Sequence, residues 1–291
     1  MKKQPELDPI YRGWVEKIRP RARAEGKLAE YIPGLKRADP GALGICTVTV
    51  DGEIRHAGDS SHPFTLQSIA KVFGLIQALI DCGEEAVFRI VGMEPTGDPF
   101  NSIARLETSD DKKPFNPMIN AGAIAVCSMV CGQNHEESFR RIVDLVRRMS
   151  DNPSIEMDEE VYRSELETAD LNRSMAYFMK SQGVLQSGVE VSLDLYTRIC
   201  SLRVDCRDLA EMGAVLAMDG MRGTDRIIPE RIARIAKRIM YTSGMYNASG
   251  EFAVRVGIPA KSGVSGGIMA VVPGWMGVGV YGPAINDKGN S

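Results

Sequence analysis

The sequence predicts an α/β protein: a mixed sheet flanked by helices, with an all-helical domain inserted into it. Three observations lead there. Alternating and β-branched apolar runs sit at both ends of the chain, helical periodicity fills the middle, and 291 residues suffice for one large core or two modest ones. The division assigns residues 1–67 and 221–291 to an α/β part formed from both termini. Residues 68–220 form a mainly helical part that opens with Ser68.

Taken in order, the first helical pattern covers 9–30 and ends near Tyr31-Ile32-Pro33. "GICTVTVDGEIRHAG" gives two β-branched runs around Asp51-Gly52, a strong hairpin signal, and "HPFTL" adds a short strand. Helices are expected over 68–81, 117–132, 136–149, 169–182, 189–202 and 206–219. The loops "GMEPTGDPFNS" and "SDDKKPFNP" are long and rich in Pro, Gly and Asn, which suits functional loops better than plain connectors. Near the end, "IIPERIARIAKRIMYTSG" reads as a helix with Pro229 near its start, where a missing N–H costs least. "EFAVRVGIPAKSG", "GGIMAVVP" and "WMGVGVYG" read as strands, with Pro273-Gly274 turning between the last two.

Composition removes several function classes. A net charge of −3 offers no excess of positive charge for nucleic acid or an acidic membrane. No apolar run approaches the ~18 residues of a membrane span. The start, "MKKQPELDPIYRGWVEKIRP", lacks the apolar stretch of a signal peptide, so a cytoplasmic location is expected. The six cysteines form no C-x-x-C pair, and buried free thiols are the default for a reducing compartment. Cys127 and Cys131 fit one helix face, but no second pair completes a zinc site. With only three histidines and no H-E-x-x-H, the supply of histidine disfavours both a metal centre and a Ser-His-Asp triad. His62 reads as a turn residue before Pro63, with a role near Ser68 as the lesser alternative. No cofactor is implied.

The chemistry centres on "FTLQSIAKVF", where Ser68 stands three residues before Lys71 among apolar neighbours. On a helix this spacing puts both side chains on one face. One reading is a core lysine that snorkels to solvent. The other is a buried amine whose lowered pKa lets it act as a base toward the serine, help worth ~10²–10⁴ in rate. The four residues alone do not choose between them. "PAKSGVSGG" adds Lys261-Ser262-Gly263 at a strand start. Ser-x-x-Lys early and Lys-Ser/Thr-Gly late is the serine acyl-transfer signature of β-lactamases and penicillin-binding proteins. There the strand lines the site opposite the nucleophile, and a backbone N–H after the glycine completes an oxyanion hole. The letters S-D-N occur at Ser150-Asp151-Asn152, but between "RIVDLVRRM" and Pro153 they read as a helix stop.

Six blocks in order, "FTLQSIAKVF", "VGMEPTGDPFNS", "PFNPMINAGAI", "SELETADLN", "SGMYNASGEFAVRVGIPAKSGVSGG" and "VVPGWMGVGVY", resemble the serine-dependent glutaminases. The resemblance runs from Tyr31 almost to the C-terminus and matches the compact bacterial type. It implies the β-lactamase-like fold, hydrolysis of L-glutamine to L-glutamate and ammonia without a cofactor, and a homodimer or homotetramer. Residue by residue, it makes Ser68 the nucleophile and Lys71 its base. Tyr246 in "SGMYN" relays a proton to the leaving ammonia, and Tyr31 in "YIP" lies over the nucleophile and substrate. The substrate contacts it implies are Ser68, Asn120, Glu165, Asn172, Tyr196, Tyr246 and the backbone N–H of Val264. The S-D-N letters fall outside this pattern.

These assignments make chemical sense for glutamine. Its ammonium wants an anion, and Glu165 is the one carboxylate in the set. Its carboxylate wants donors, which Asn120, Asn172 and the tyrosines offer. Glu165 and Asn172 are two turns apart if one helix runs through both. By composition alone Glu165 is merely one acid on the solvated run "EMDEEVYRSELE". Two other readings compete. A β-lactamase or penicillin-binding serine acylase is opposed by the missing export signal. A catalytically inactive amino-acid sensor on the same fold is opposed by a site from which nothing obvious is missing.

Overall fold

Two hairpins form the centre of the sheet in the computed structural model, which describes residues 6–99, 101–103, 106 and 112–291. Strands β2 (Gly44–Thr49) and β3 (Ile54–Gly58) turn at Asp51-Gly52, where Gly52 takes the positive φ (+80°) that such a turn demands. After β1 (Glu6–Leu7), helix α1 (Pro9–Glu25) is capped by the Asp8 carboxylate and stops at Gly26, five residues short of Tyr31. It ends there because the chain must turn to pair Lys27 with Ile285.

The late hairpin joins β9 (Gly267–Val272) and β10 (Met276–Tyr281) through Pro273-Gly274. With β8 (Ala260–Ser262) the order is β1-β3-β2-β10-β9-β8, antiparallel except for the β1–β3 pair. Val278 of β10 lies opposite Thr47 on one side and Ala270 on the other. Strand alternation sends Ile45 and Ala57 to one face, beneath Val15 of α1, and Cys46, Val48 and Ile54 to the main core.

The core face is covered by α8 (Cys206–Ala217), whose first turn is locked by reciprocal Asp205–Asp208 capping bonds. Its backbone approaches β10 closely because Gly277 and Gly279 carry no Cβ. A methyl at Gly279 would overlap the Cys206 carbonyl, and one at Gly277 the Ala210 carbonyl. Gly279→Ala is therefore expected to destabilise the protein by about 2 kcal/mol or more, read as a lower denaturant midpoint. An unchanged midpoint would show that α8 can lift from the sheet at no cost.

Between β3 and α8 the described residues form helices α2 (Ala70–Ile90), α3 (Asn120–Cys127), α4 (His135–Ser150), α5 (Glu159–Glu167), α6 (Asp170–Ser181) and α7 (Val189–Cys200). Every residue of α2 from Ala70 to Leu79 is buried, as in a helix enclosed on all sides. Its regular part ends at Gly83 (φ +79°), close to the expected residue 81, before the chain turns helical again to Ile90. Short pairs β4 (Phe64–Thr65) with β5 (Arg203–Val204), and β6 (Met221–Arg222) with β7 (Asp225–Arg226), complete the strands. Helix α9 (Glu230–Ser243) follows Pro229 as expected.

Three expectations need correction. "EFAVRVG" is not a strand. Residues Ser249–Arg255 form helix α10, and Val254 and Val256 are exposed, so the alternation marks no buried face. The helix expected over 117–132 covers only Asn120–Cys127. Glu165 and Asn172 lie on two helices, with the break at Thr168 and Ala169. Phe100 of the first expected loop and residues 109–111 of the second lie outside the described residues. Among the described residues no helix is long and apolar enough to cross a membrane.

Candidate active site

Ser68 sits in a single 3₁₀ turn, Gln67–Ile69, between β4 and α2. Gln67 holds a left-handed φ of +48°, a strained conformation for a side chain with a Cβ. The turn runs directly into α2, so Lys71 follows Ser68 by one turn on the same face.

Lys71 is fully buried. Its Nζ donates to the Met118 carbonyl (3.1 Å) and to Asn120 Oδ1 (2.7 Å). Burial pulls its pKa down from 10.5 to about 8, against the opposing pull of Cys200 and Glu165. Asn120 opens α3 and passes the network on. Its Nδ2 donates to Asn172 Oδ1 of α6 (2.9 Å), and the Tyr196 hydroxyl of α7 donates to its Oδ1 (3.4 Å).

Glu165 enters from α5 and accepts from Gln67 Nε2 (3.1 Å). Burial pushes its pKa up to about 7, with the Gln67 hydrogen bond and the Lys71 charge opposing the shift. The Tyr31 segment is docked beside it: Gly34 N donates to Ser164 Oγ (3.0 Å), and Ile32 packs with Tyr246 and Val264.

Tyr246 is buried in a 3₁₀ turn after α9, also with positive φ (+53°). Its hydroxyl donates to the Ser262 carbonyl (3.1 Å), and its oxygen is hydrogen-bonded to Ser68. Burial raises its pKa well above the ordinary value and keeps the phenol protonated. In the turn between β8 and β9, the Gly263 N–H is used on Gly267 O (2.8 Å), which leaves the next amide, Val264, on the cavity wall.

The cavity these elements enclose measures about 230 Å³. Seven of the nine expected site residues line it: Tyr31, Ser68, Asn120, Glu165, Asn172, Tyr196 and Val264. Lys71 and Tyr246 stand behind the wall. Tyr31 is largely exposed, at the mouth. Sequence reasoning missed Gln67, which lines the cavity and ties the Ser68 turn to Glu165. Its signal was a polar residue in an apolar run immediately before Ser68. Asn101, from the first long loop, also reaches the wall.

Other candidates lie elsewhere. His62 stacks on Tyr281 (5.3 Å) and does not line this cavity. Asp151 caps the end of α4, and Asn152 donates to Asp208 (3.0 Å), as a helix stop would. Lys261 points to the Tyr246 ring rather than into the cavity. Among the described residues no group of three His, Cys, Asp or Glu side chains is placed to hold a metal ion.

A pocket this small, with one carboxylate, three asparagines and a buried serine at its wall, suits an amino acid. Fold and pocket together define a hydrolase of the β-lactamase-like class. Comparison with known proteins narrows the class. The glutaminase family model matches residues 26–291. A glutaminase of Bacillus cytotoxicus is 54% identical over 279 residues, covering 95% of this chain and 90% of that protein. The crystal structure of a Bacillus glutaminase in 4.3 M NaCl superposes with a TM-score of 0.90 at 43% identity, covering 97% of this chain and 92% of that one. A Bacillus subtilis glutaminase, solved as a covalent complex formed by reaction with 6-diazo-5-oxo-L-norleucine, gives 0.88 at 40% identity, with 97% and 92% covered. The chain belongs to the glutaminase family, and its activity is hydrolysis of L-glutamine to L-glutamate and ammonia.

Proposed function

We propose that glutamine is hydrolysed through a Ser68 glutamyl ester, with Lys71 as the base and Tyr246 as the proton donor to ammonia. One observation carries this reading: Ser68 stands in the cavity wall, bonded to Tyr246, with the buried Lys71 one helical turn behind it. Met118 O and Asn120 Oδ1 accept from the amine and hold it in place, and a neutral amine keeps a lone pair. The lone pair then takes the Ser68 proton as Oγ attacks the side-chain carbonyl. The backbone N–H groups of Ser68 and Val264 receive the oxyanion. The C–N bond breaks as Tyr246 delivers its proton to the departing nitrogen and recovers one through Lys71. Water then attacks the ester and loses a proton to Lys71, which passes it to Ser68 Oγ as the ester bond breaks and glutamate leaves.

Glu165 takes the α-ammonium, Asn120, Asn172, Tyr196 and Tyr31 surround the α-carboxylate, and no cofactor takes part. The covalent complex of the Bacillus subtilis relative supports a covalent route. The proposal extends to a cytoplasmic location, in keeping with six free thiols. It also extends to a homodimer or homotetramer, in keeping with the exposed apolar row Ile10, Trp14 and Ile18 along α1.

A pH–rate profile tests the mechanism. Lys71 must be neutral and Glu165 ionised, so activity falls as pH drops through about 8 and then about 7. In the free enzyme both ionisations count, so log kcat/KM steepens toward a slope of two on the acid side. Bound ammonium holds Glu165 ionised, so log kcat approaches a slope of one. A kcat/KM profile that is flat from about pH 6 to about pH 9 would remove Lys71 as the base.

A further inference from the structure

Lys261 of β8 is completely buried, and among the described residues no carboxylate lies within ion-pair distance of it. Burying an ammonium without an anion is costly, so the side chain needs an account beyond packing. It does not line the cavity. Its Nζ donates to Gly244 O (3.1 Å) and Ser262 O (2.6 Å), and lies 4.2 Å from the centroid of the Tyr246 ring.

All three contacts belong to the surroundings of one residue. Gly244 is two residues ahead of Tyr246 in the chain. The Ser262 carbonyl is the acceptor of the Tyr246 hydroxyl. Between them lies the ring face itself. Tyr246 also holds a left-handed φ, a conformation costing of order 1–3 kcal/mol that persists only where neighbours over-determine it. Ser249 holds the backbone there, donating to Tyr246 O (2.7 Å) and accepting from Met245 N (3.0 Å). Neither bond reaches the ring or its hydroxyl.

We propose that Lys261 is a positioning residue for Tyr246: bridging the Gly244 and Ser262 carbonyls across the ring face, it fixes the phenol hydroxyl against Ser68. Burial, followed by the charge of Lys71, pulls the Lys261 pKa well below its ordinary value. A neutral amine has two N–H donors, and two carbonyls receive them. The donor count is the same as for Lys71; what separates the two lysines is place, Lys71 one helical turn behind Ser68 and Lys261 over the Tyr246 ring. The proposal rests on the reading of Tyr246 as the proton donor to ammonia.

A double-mutant cycle tests it, using Y246F, K261M and the double variant with glutamine and with an activated γ-ester of glutamate. The ester's leaving group departs without a proton. K261M keeps the stem and loses the donors. It is expected to lower kcat on glutamine by about 10-fold to about 100-fold with KM nearly unchanged, and to spare the ester. In the Y246F background the same change is expected to cost less than about 3-fold, because the residue it positions no longer carries the hydroxyl. Retained ester turnover shows that the site is folded. If K261M does not accumulate, K261Q, which keeps two N–H donors, enters the cycle with a smaller expected loss. Additive losses, or equal losses on amide and ester, would overturn the proposal. Y246F at wild-type activity would instead remove the tyrosine's role, and the proposal with it. An impaired Y246F beside an unimpaired K261M would overturn Lys261 alone.

Discussion

Ser68→Ala is expected to lower kcat for glutamine by on the order of 10⁴ or more while leaving glutamine affinity within a few-fold of wild type. The cavity wall holds other hydroxyls, on Tyr31, Thr168 and Tyr196, but none has the buried amine one helical turn away. Lys71 cannot take over as nucleophile, because its nitrogen is tied to Met118 and Asn120 behind the wall. What remains is binding and the oxyanion donors, which alone retain some catalysis. Affinity should survive because the Ser68 hydroxyl is one contact among many. Glu165, Asn120 and Asn172 are held by bonds that do not pass through it. The thermal midpoint should change little, since the substitution removes one oxygen and the turn is fixed by the backbone of Leu66–Ala70. Ammonia release, calorimetric binding and a thermal scan on one preparation check all three. Ammonia release near wild type would remove Ser68 as the nucleophile.

Local chemistry explains what the sequence made visible. Asp51-Gly52 and Pro273-Gly274 mark their turns through backbone preferences that hold in any context. The apolar residues around Lys71 made its burial one of two readings, and the structure has it buried. Distant pairings were not visible. Nothing in "GICTVTV" says that it joins "WMGVGVY" across the sheet, although small Gly277 and Gly279 hinted that something comes close. The positive φ of Gln67 and Tyr246 left no compositional trace, because neither residue favours it and tertiary contacts impose it. "EFAVRVG" misled because alternation predicts a strand only when one of its faces is buried, and Val254 and Val256 face solvent. Glu165 was visible only through the resemblance. Its partner Gln67 is 98 residues away, and on the run "EMDEEVYRSELE" it looks like its neighbours. The Lys261-Ser262-Gly263 motif gives Lys261 its place at a strand start and does not say what its side chain faces.

Glu165→Gln should reduce kcat/KM for glutamine by about 10²-fold to about 10³-fold and leave hydrolysis of a γ-ester lacking the α-amino group within about 3-fold. Among the described residues lining the cavity, Glu165 is the only carboxylate. Removing one partner of a desolvated charge pair costs about 2–5 kcal/mol, and about 1.4 kcal/mol is tenfold, which sets the expected range. A substrate without the ammonium forfeits that pair in wild type and variant alike, so its loss should be small. The same charge bears on selectivity. One methylene separates glutamine from asparagine, and packing discriminates a methylene by only ~1–3 kcal/mol. In the proposed mechanism a fixed distance between Glu165 and Ser68 is the stronger ruler, and the Gln67–Glu165 bond ties Glu165 to the turn that carries Ser68. The pH profile supplies a readout that a purely structural role would not move. Glu165 raises the Lys71 pKa, so its removal should shift the Lys71 inflection to lower pH. The ionisation near 7 should also vanish, leaving log kcat/KM with a slope of one on the acid side. Equal losses on the two substrates, with the wild-type profile kept, would mean that Glu165 supports the wall and does not hold the ammonium.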